Sequence, residues 1–332
     1  MAKYIVKRLF YAIIVLFGVS VIIYFLVRLM PMDYVTQKFA DKMSTGALSE
    51  ADFEYIRELY GLSDNSFLGI LKGYFSWLGN LLHGNLGTSF QYEMPVAEAI
   101  SRNMWVSFTL SLVATILQFA IAIPLGIKAA THQYGVIDYT VTVIAMIGVS
   151  LPSFFLAALL MKVFAVNLGW LPLQGLVDAS TDWTGNTFGK ILDMGKHLIL
   201  PMICLVILSI GGLMRHTRTN MLEVLSADYI RTARAKGLSE RTVIYKHAFR
   251  NSSIPLVTML AGLIASLFGG AMITEQVFSI PGIGNMAYTA LRSGDVPFIM
   301  GYNMFLAVLT VLGTLLADIM YMVVDPRVKI NR

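Results

Sequence analysis

Ser226-Ala-Asp-Tyr-Ile-Arg-Thr-Ala-Arg-Ala-Lys-Gly237, continued by Leu238-Ser-Glu-Arg-Thr-Val-Ile-Tyr-Lys-His-Ala-Phe-Arg250-Asn-Ser-Ser-Ile-Pro255, is the longest polar interruption in the second half of an otherwise apolar chain. Between Arg215 and Arg250 eight basic side chains (Arg215, Arg218, Arg231, Arg234, Lys236, Arg241, Lys246 and Arg250) stand against three acids, Glu223, Asp228 and Glu240. The stretch has the marks of a folded element. Ser226 is placed to cap a helix whose second residue is Asp228, Gly237 sits where that helix must stop, and Ser239 is placed to cap a second short helix. The spacing predicts a helix-turn-helix held out from the membrane toward a partner.

Composition sets the frame around it. The 332 residues are 56% hydrophobic and 14% charged, whereas soluble domains carry about 25% charged residues. This is the composition of an integral membrane protein. The net charge of +5 is no nucleic-acid footprint, because Lys and Arg cluster beside apolar spans in the positive-inside pattern. The one cysteine, Cys204, lies in an apolar run and permits no intrachain disulfide. Five scattered histidines lack ligand spacing, so no metal site is expected.

A run of about 20 apolar residues crosses the hydrocarbon core. Such runs predict six spans, at 9–30, 103–127, 137–164, 197–214, 253–274 and 298–324, and hence an all-α polytopic fold; the fourth is the shortest. The first is too long for a cleavable signal and no small-x-small site follows it. With the N-terminus inside, fifteen of the 25 basic residues fall in cytoplasmic segments, and the segment 31–100, with nine acids and four Lys/Arg, falls outside. Both termini are therefore expected in the cytoplasm.

The segment 31–100 is too long for a plain connection. Ser49-Glu-Ala-Asp52 reads as a capping box before a stripe of Phe53, Ile56, Leu59 and Tyr60. A second stripe, Phe67, Leu71, Tyr74, Leu78 and Leu81, ends near Gly84. Surface packing and contact with an external partner both fit these two amphipathic helices. The loop 165–196 is turn-rich, with Trp170 and Trp183 as interfacial anchors. Pro124, Pro152 and Pro201 can kink spans, and Gly148, Gly211, Gly212, Gly262, Gly269 and Gly270 suit close helix approach or gating.

No nucleotide-binding Gly-x-x-x-x-Gly-Lys-Ser/Thr and no catalytic constellation occurs. The chain is expected to be no enzyme, and any ATPase to be another polypeptide. Lys162 can snorkel or face the pathway, and Asp318 can serve as interhelical glue or in transport. So few charges at mid-membrane argue against a proton-coupled secondary transporter. The stretch Glu275-Gln-Val-Phe-Ser-Ile-Pro281-Gly-Ile-Gly284 is too apolar for a solvated loop and too short to cross. Pro281-Gly282 forces a turn, so the segment is expected to fold back and bury Phe278 and Ile280 before Asp295-Val-Pro297 starts the last span. As passive filling or as an outer gate, its residues are Glu275, Phe278, Ile280, Pro281, Gly282, Ile283 and Gly284.

Arg231-Thr-Ala233 followed by Gly237 resembles the EAA loop of the membrane subunits of ATP-binding-cassette importers. Arg231 and Thr232 stand where Glu and Ala are usual, and His247-Ala-Phe-Arg250 stands where Ile-x-Leu-Pro is usual. That departure is itself typical of the oligopeptide/dipeptide/nickel branch. Gly84-Asn-Leu-Gly-Thr-Ser-Phe90 and the 275–284 stretch resemble the same branch, and the resemblance runs from Arg28-Leu-Met-Pro31 to Asp325-Pro-Arg. It implies a type I permease fold most like the B-type oligopeptide/dipeptide permease: a first helix (1–30), an extracytoplasmic insert (31–102), a five-helix core (103–326) with its coupling loop at 215–251, and a cytoplasmic tail (327–332). It implies a prokaryotic plasma membrane, a second homologous permease, two ATPase subunits carrying ATP and Mg, and an extracytoplasmic peptide-binding protein. Ser226, Asp228, Tyr229, Ile230, Arg231, Thr232, Ala233, Arg234, Lys236 and Gly237 would dock the ATPase, with Tyr229, Ile230 and Ala233 as the apolar contact face. The alternatives are nickel, glutathione or another small solute on the same fold, a secondary transporter or channel, a scaffold, or a helix that merely rests on anionic lipid.

Overall fold

The structure, a computed structural model, describes residues 2–28, 49, 51, 66–253, 255–256, 259 and 262–324, and among them every named element is helical. Four of these helices are long and apolar enough to cross a membrane, or five if one bent pair counts as a span. Of the capping box at 49–52 only residues 49 and 51 are described; the stripe at 53–60 lies outside the described residues, as do Ile254, Val257, Thr258, Leu260 and Ala261 of the fifth expected span.

The contacts divide the chain into two compact units. The first comprises residues 1–105 and 286–311. Its α1 (Ala2–Arg28) is 27 residues long, about 40 Å at 1.5 Å per residue, enough for a hydrocarbon core of about 30 Å. Val6, Phe10, Ile13 and Phe17 are exposed on it, as lipid-facing side chains are. The amphipathic α2 (Phe67–Leu82) starts where Ser66 accepts the Gly69 N–H and ends at Gly84, whose φ is +77°. Tyr74 is the buried residue of the expected stripe; its ring lies edge-on to Tyr24, and its hydroxyl meets Ser20 Oγ at 2.9 Å.

The second unit comprises residues 106–285 and 312–332. Three helices run through it: α3 (Val96–Thr131), α4 (Val136–Ser150) and α6 (Thr187–Leu225). The expected third span is corrected here. After α4 the chain breaks at Leu151-Pro152 and continues as α5 (Ser153–Leu160) and a π-helical turn (Met161–Asn167), bent by 103°. Proline has no N–H and forces its predecessor out of the helical region; Leu151 is extended at φ −80°, ψ 130°.

The fourth span is corrected in the other direction. Helix α6 has 39 residues, about 58 Å, so it outruns the hydrocarbon core and carries the helix on through Arg215 and Arg218. It crosses α4 closely: a Cβ at Gly148 would collide with the Ile207 carbonyl oxygen, and one at Gly211 with that of Ala145. Gly212 has open space instead. Val141, Ala145, Val206, Ile210 and Leu213 form the core around this crossing.

Past α6 come α7 (Asp228–Ala235), α8 (Glu240–Thr242), a π-helical stretch (Val243–Phe249) and α9 (Arg250–Ser252). Then follow α10 (Ile264–Gly269), α11 (Met272–Val277), α12 (Ile283–Ser293) and α13 (Val296–Val324). Lys162 is exposed on the π-helical turn and Asp318 half-buried on α13.

Candidate functional site

The helix-turn-helix is present, with one boundary corrected. Ser226 ends α6, its hydroxyl donating to the Glu223 carbonyl at 2.7 Å, and Ala227 takes the N-cap position of α7 without a side-chain cap. At the far end Gly237 adopts φ +75°, the left-handed region that favours glycine. Its N–H reaches Arg234 O at 2.9 Å and the Leu238 N–H reaches Ala233 O at 3.4 Å. Ser239 caps α8 as expected, accepting the Thr242 N–H at 3.4 Å.

The expected contact face is also corrected. Ile230 and Ala233 are buried in this chain's own core, against Ile127, Ala130, Met221, Val243 and Ala248. Tyr229 stays exposed beside Asp228, Arg231, Thr232, Arg234 and Lys236. The helix is thus anchored by one face to α3 and α6 and presents a basic, aromatic face outward. Arg234 forks onto Glu240, with Nη2 to Oε1 at 2.7 Å and Nε to Oε2 at 3.2 Å. This guanidinium holds the Glu240 carboxyl below its ordinary range, and it clamps the turn between α7 and α8.

Sequence reasoning missed a second ion pair. Arg218 on α6 meets Asp138 on α4 through Nε–Oδ1 at 2.6 Å and Nη2–Oδ2 at 2.8 Å, and the Tyr134 N–H adds a bond to Oδ2 at 3.1 Å. Asp138 is buried. An acid opening one span and a base closing the next was the available signal. Beside the pair lies an open cavity of about 550 Å³, lined by Val141, Met146, Gly211, Arg215, His216 and other residues of α4 and α6.

The 275–284 segment folds back as expected, and a carboxylate sits at its centre. Glu275 is fully buried. Its Oε1 accepts the Ser107 hydroxyl at 2.7 Å and the Ala271 N–H at 3.0 Å, and its Oε2 accepts the Asn285 N–H at 2.9 Å. A Cβ at Gly282 would strike this carboxylate and Ser107 Oγ, and Gly270 and Gly284 are also tight against Glu275. Phe278, Ile280, Gly282, Ile283 and Gly284 are buried and Pro281 is exposed. Phe278 and Ile280 pack with Leu110, Leu156 and Leu200. The loop after α5 lies over them, its Gly175 N–H donating to Phe278 O at 2.8 Å.

In the first unit, a buried Asp295 joins two stretches singled out in the sequence. It caps α13 through the Phe298 N–H at 3.3 Å, and it holds the Ser89 hydroxyl at 2.5 Å and the Phe90 and Gln91 N–H groups at 3.1 Å each. Among the described residues, no cluster of three or more His, Cys, Asp or Glu could hold a metal ion.

Residues 122–330 match the family described as the binding-protein-dependent transport system inner membrane component. The chain is 39% identical over 330 residues to the oligopeptide transport system permease protein AppB of Bacillus subtilis (strain 168), covering 99% of this chain and 100% of that one. It is 34% identical over 341 residues to the dipeptide transport system permease protein DppB of Alkalihalophilus pseudofirmus, covering 99% and 100%. A chain of the MetNI methionine ABC transporter, crystallised in inward-facing conformations, matches with a TM-score of 0.51 at 16% identity, over 69% of this chain and 97% of that one. The two share a fold.

Proposed function

This chain belongs to the binding-protein-dependent transport system inner membrane component family, and from that premise we propose that it is the permease subunit of an ATP-driven importer for peptides. It works beside a second homologous permease, two ATPase subunits that bind ATP and Mg, and an extracytoplasmic binding protein. Its termini and α7 lie on the cytoplasmic side, and residues 275–284 form part of the outer gate. The substrate class is carried over from the full-length likeness to oligopeptide and dipeptide permeases.

The observation that carries the mechanism is the two-sidedness of α7. Its outward face offers Tyr229, Arg231, Arg234 and Lys236, while Ile230 and Ala233 are sunk among Ile127 on α3 and Met221 on α6. A push on the outer face therefore reaches two membrane helices through close-packed side chains, which deform little. Aromatic and arginine side chains are the usual anchors of such contacts, and the basic charge orients an acidic groove.

Uptake tests the reading. The full complex in proteoliposomes, with ATP on the ATPase side, is expected to accumulate labelled oligopeptide or dipeptide only when the binding protein and hydrolysable ATP are present. Uptake driven by an ion gradient without ATP would overturn the reading. ATP-dependent uptake of nickel or glutathione but not of peptides would replace its substrate.

A further inference from the structure

The Glu275 centre depends on a side chain that neither the motifs nor the spans single out. Ser107 on α3 is fully buried, and its hydroxyl makes two bonds at once. It donates to Glu275 Oε1 at 2.7 Å and accepts the Ile283 N–H at 2.9 Å. The first bond reaches the acid that organises the turn; the second reaches the first residue of α12 just past Pro281-Gly282. Gly282 leaves the space the hydroxyl needs, since a Cβ there would overlap Ser107 Oγ.

We infer that Ser107 is a positioning residue for transport, a latch that holds the 280–285 turn against α3 until the outer mouth opens. The inference rests on the gate reading of residues 275–284 and adds the contact that restrains the gate. Two buried groups, a carboxylate and a backbone N–H, lose their partner together when the turn leaves α3. The latched arrangement is therefore favoured by a contact the unlatched one lacks, and such a differential contact sets a population. Leu110 packs with Phe278 and Ile280 in the same place, so the apolar packing guides the turn back while the hydroxyl fixes its register.

The test uses the whole complex in nanodiscs or proteoliposomes and reads ATP hydrolysis with and without the binding protein, beside the yield of assembled complex. Ser107→Ala is expected to assemble normally and to raise binding-protein-free ATP hydrolysis roughly tenfold, the shift expected from losing one hydrogen bond to a charged group, while uptake falls. Ser107→Thr, which keeps the hydroxyl, is expected to restore most of the dependence on binding protein. A role in folding alone would lower assembly and all activities in proportion, and would overturn the latch. Unchanged binding-protein-free hydrolysis in an assembled Ser107→Ala complex would overturn it as well. If Ser107→Ala fails to assemble, Ser107→Cys, with a weaker donor of similar size, is expected to give an intermediate rise; wild-type dependence there would refute the idea. Failure of the wild-type complex to couple uptake to ATP would instead count against the importer reading itself.

Discussion

Gly211 and Gly212 are neighbours in sequence with opposite surroundings, which makes a one-methyl experiment decisive. An alanine Cβ at 211 would collide with the carbonyl oxygen of Ala145 and lie 2.9 Å and 3.0 Å from its Cα and C atoms, all of them backbone; at 212 it would meet nothing within 4 Å. Ordinary contact begins at 3.4 Å, so Gly211→Ala must part α4 from α6 by roughly 1 Å, a gap at which dispersion contacts lose a quarter to a half of their depth. The cluster of Val141, Ala145, Val206, Ile210 and Leu213 spans that crossing, so the loss is shared by the whole seam. Overpacking of this kind costs about 1–3 kcal/mol. Gly212→Ala meets no such obstacle, and alanine is the better helix former by about 1 kcal/mol. Heating the purified complex and following the surviving assembly by size-exclusion chromatography should show Gly211→Ala melting below wild type and Gly212→Ala at or above it. Identical melting of the two variants would refute the close crossing.

The remaining predictions concern the polar junctions. Arg218→Gln leaves Asp138 buried without its charged partner and is expected to cost roughly 2–5 kcal/mol, the range for breaking such pairs, whereas the exchange Asp138→Arg with Arg218→Asp should recover part of the lost thermal stability. Gly237→Ala, with open space around it but φ +75°, is expected to cost about 1 kcal/mol and to weaken ATPase stimulation while membrane insertion stays normal; unchanged coupling would count against α7 as the docking element. Because Arg234 depresses the Glu240 carboxyl, the stabilisation it gives is complete above the unfolded carboxyl value of about 4.3 and is lost as pH falls through the lower folded value. Hydrogen exchange in residues 228–242 should speed up on that acid limb, and Glu240→Gln should remove the pH dependence; the pair is exposed, so the effect is modest, roughly 0.2–1 kcal/mol.

Apolar run length located the helices well, because a bilayer demands such runs and little else imitates them. The bounds of α13 fall close to the expected 298–324, and α1 contains residues 9–28 of the expected 9–30 but starts seven residues earlier, at Ala2. What it could not locate was shape. Residues 137–164 are evenly apolar, so only Pro152 marked the 103° bend, and the same residue type at Pro124 and Pro201 lies within helices that run on. The length of α6 was hidden because hydropathy ends at Arg215 while the backbone hydrogen bonding does not. In the candidate site, the turn at Pro281-Gly282 and the burial of Phe278 and Ile280 were legible from local chemistry. Ser107 was not, since nothing in a helical run distinguishes a serine that packs from one that bonds a turn 176 residues away.

Asp138, Glu275 and Asp295, the buried carboxylates among the described residues, share one physical arrangement. Each lies at the start of a helix, where unpaired N–H groups and the positive end of the dipole favour an anion. Asp138 takes the Tyr134 N–H before α4, Glu275 the Asn285 N–H in the first turn of α12, and Asp295 the Phe298 N–H in the first turn of α13. A serine or asparagine could cap as well, so capping alone does not explain the acids. A carboxylate has two oxygens and about four acceptor sites, enough to cap one helix and hold a distant element too. Arg218, Ser107 and Ser89 are those elements, at separations of 80, 168 and 206 residues. Both oxygens of every one of these acids carry donors, and at least one bond in each set joins two distant parts of its unit. The geometry makes these three acids structural ties between distant stretches of their own units.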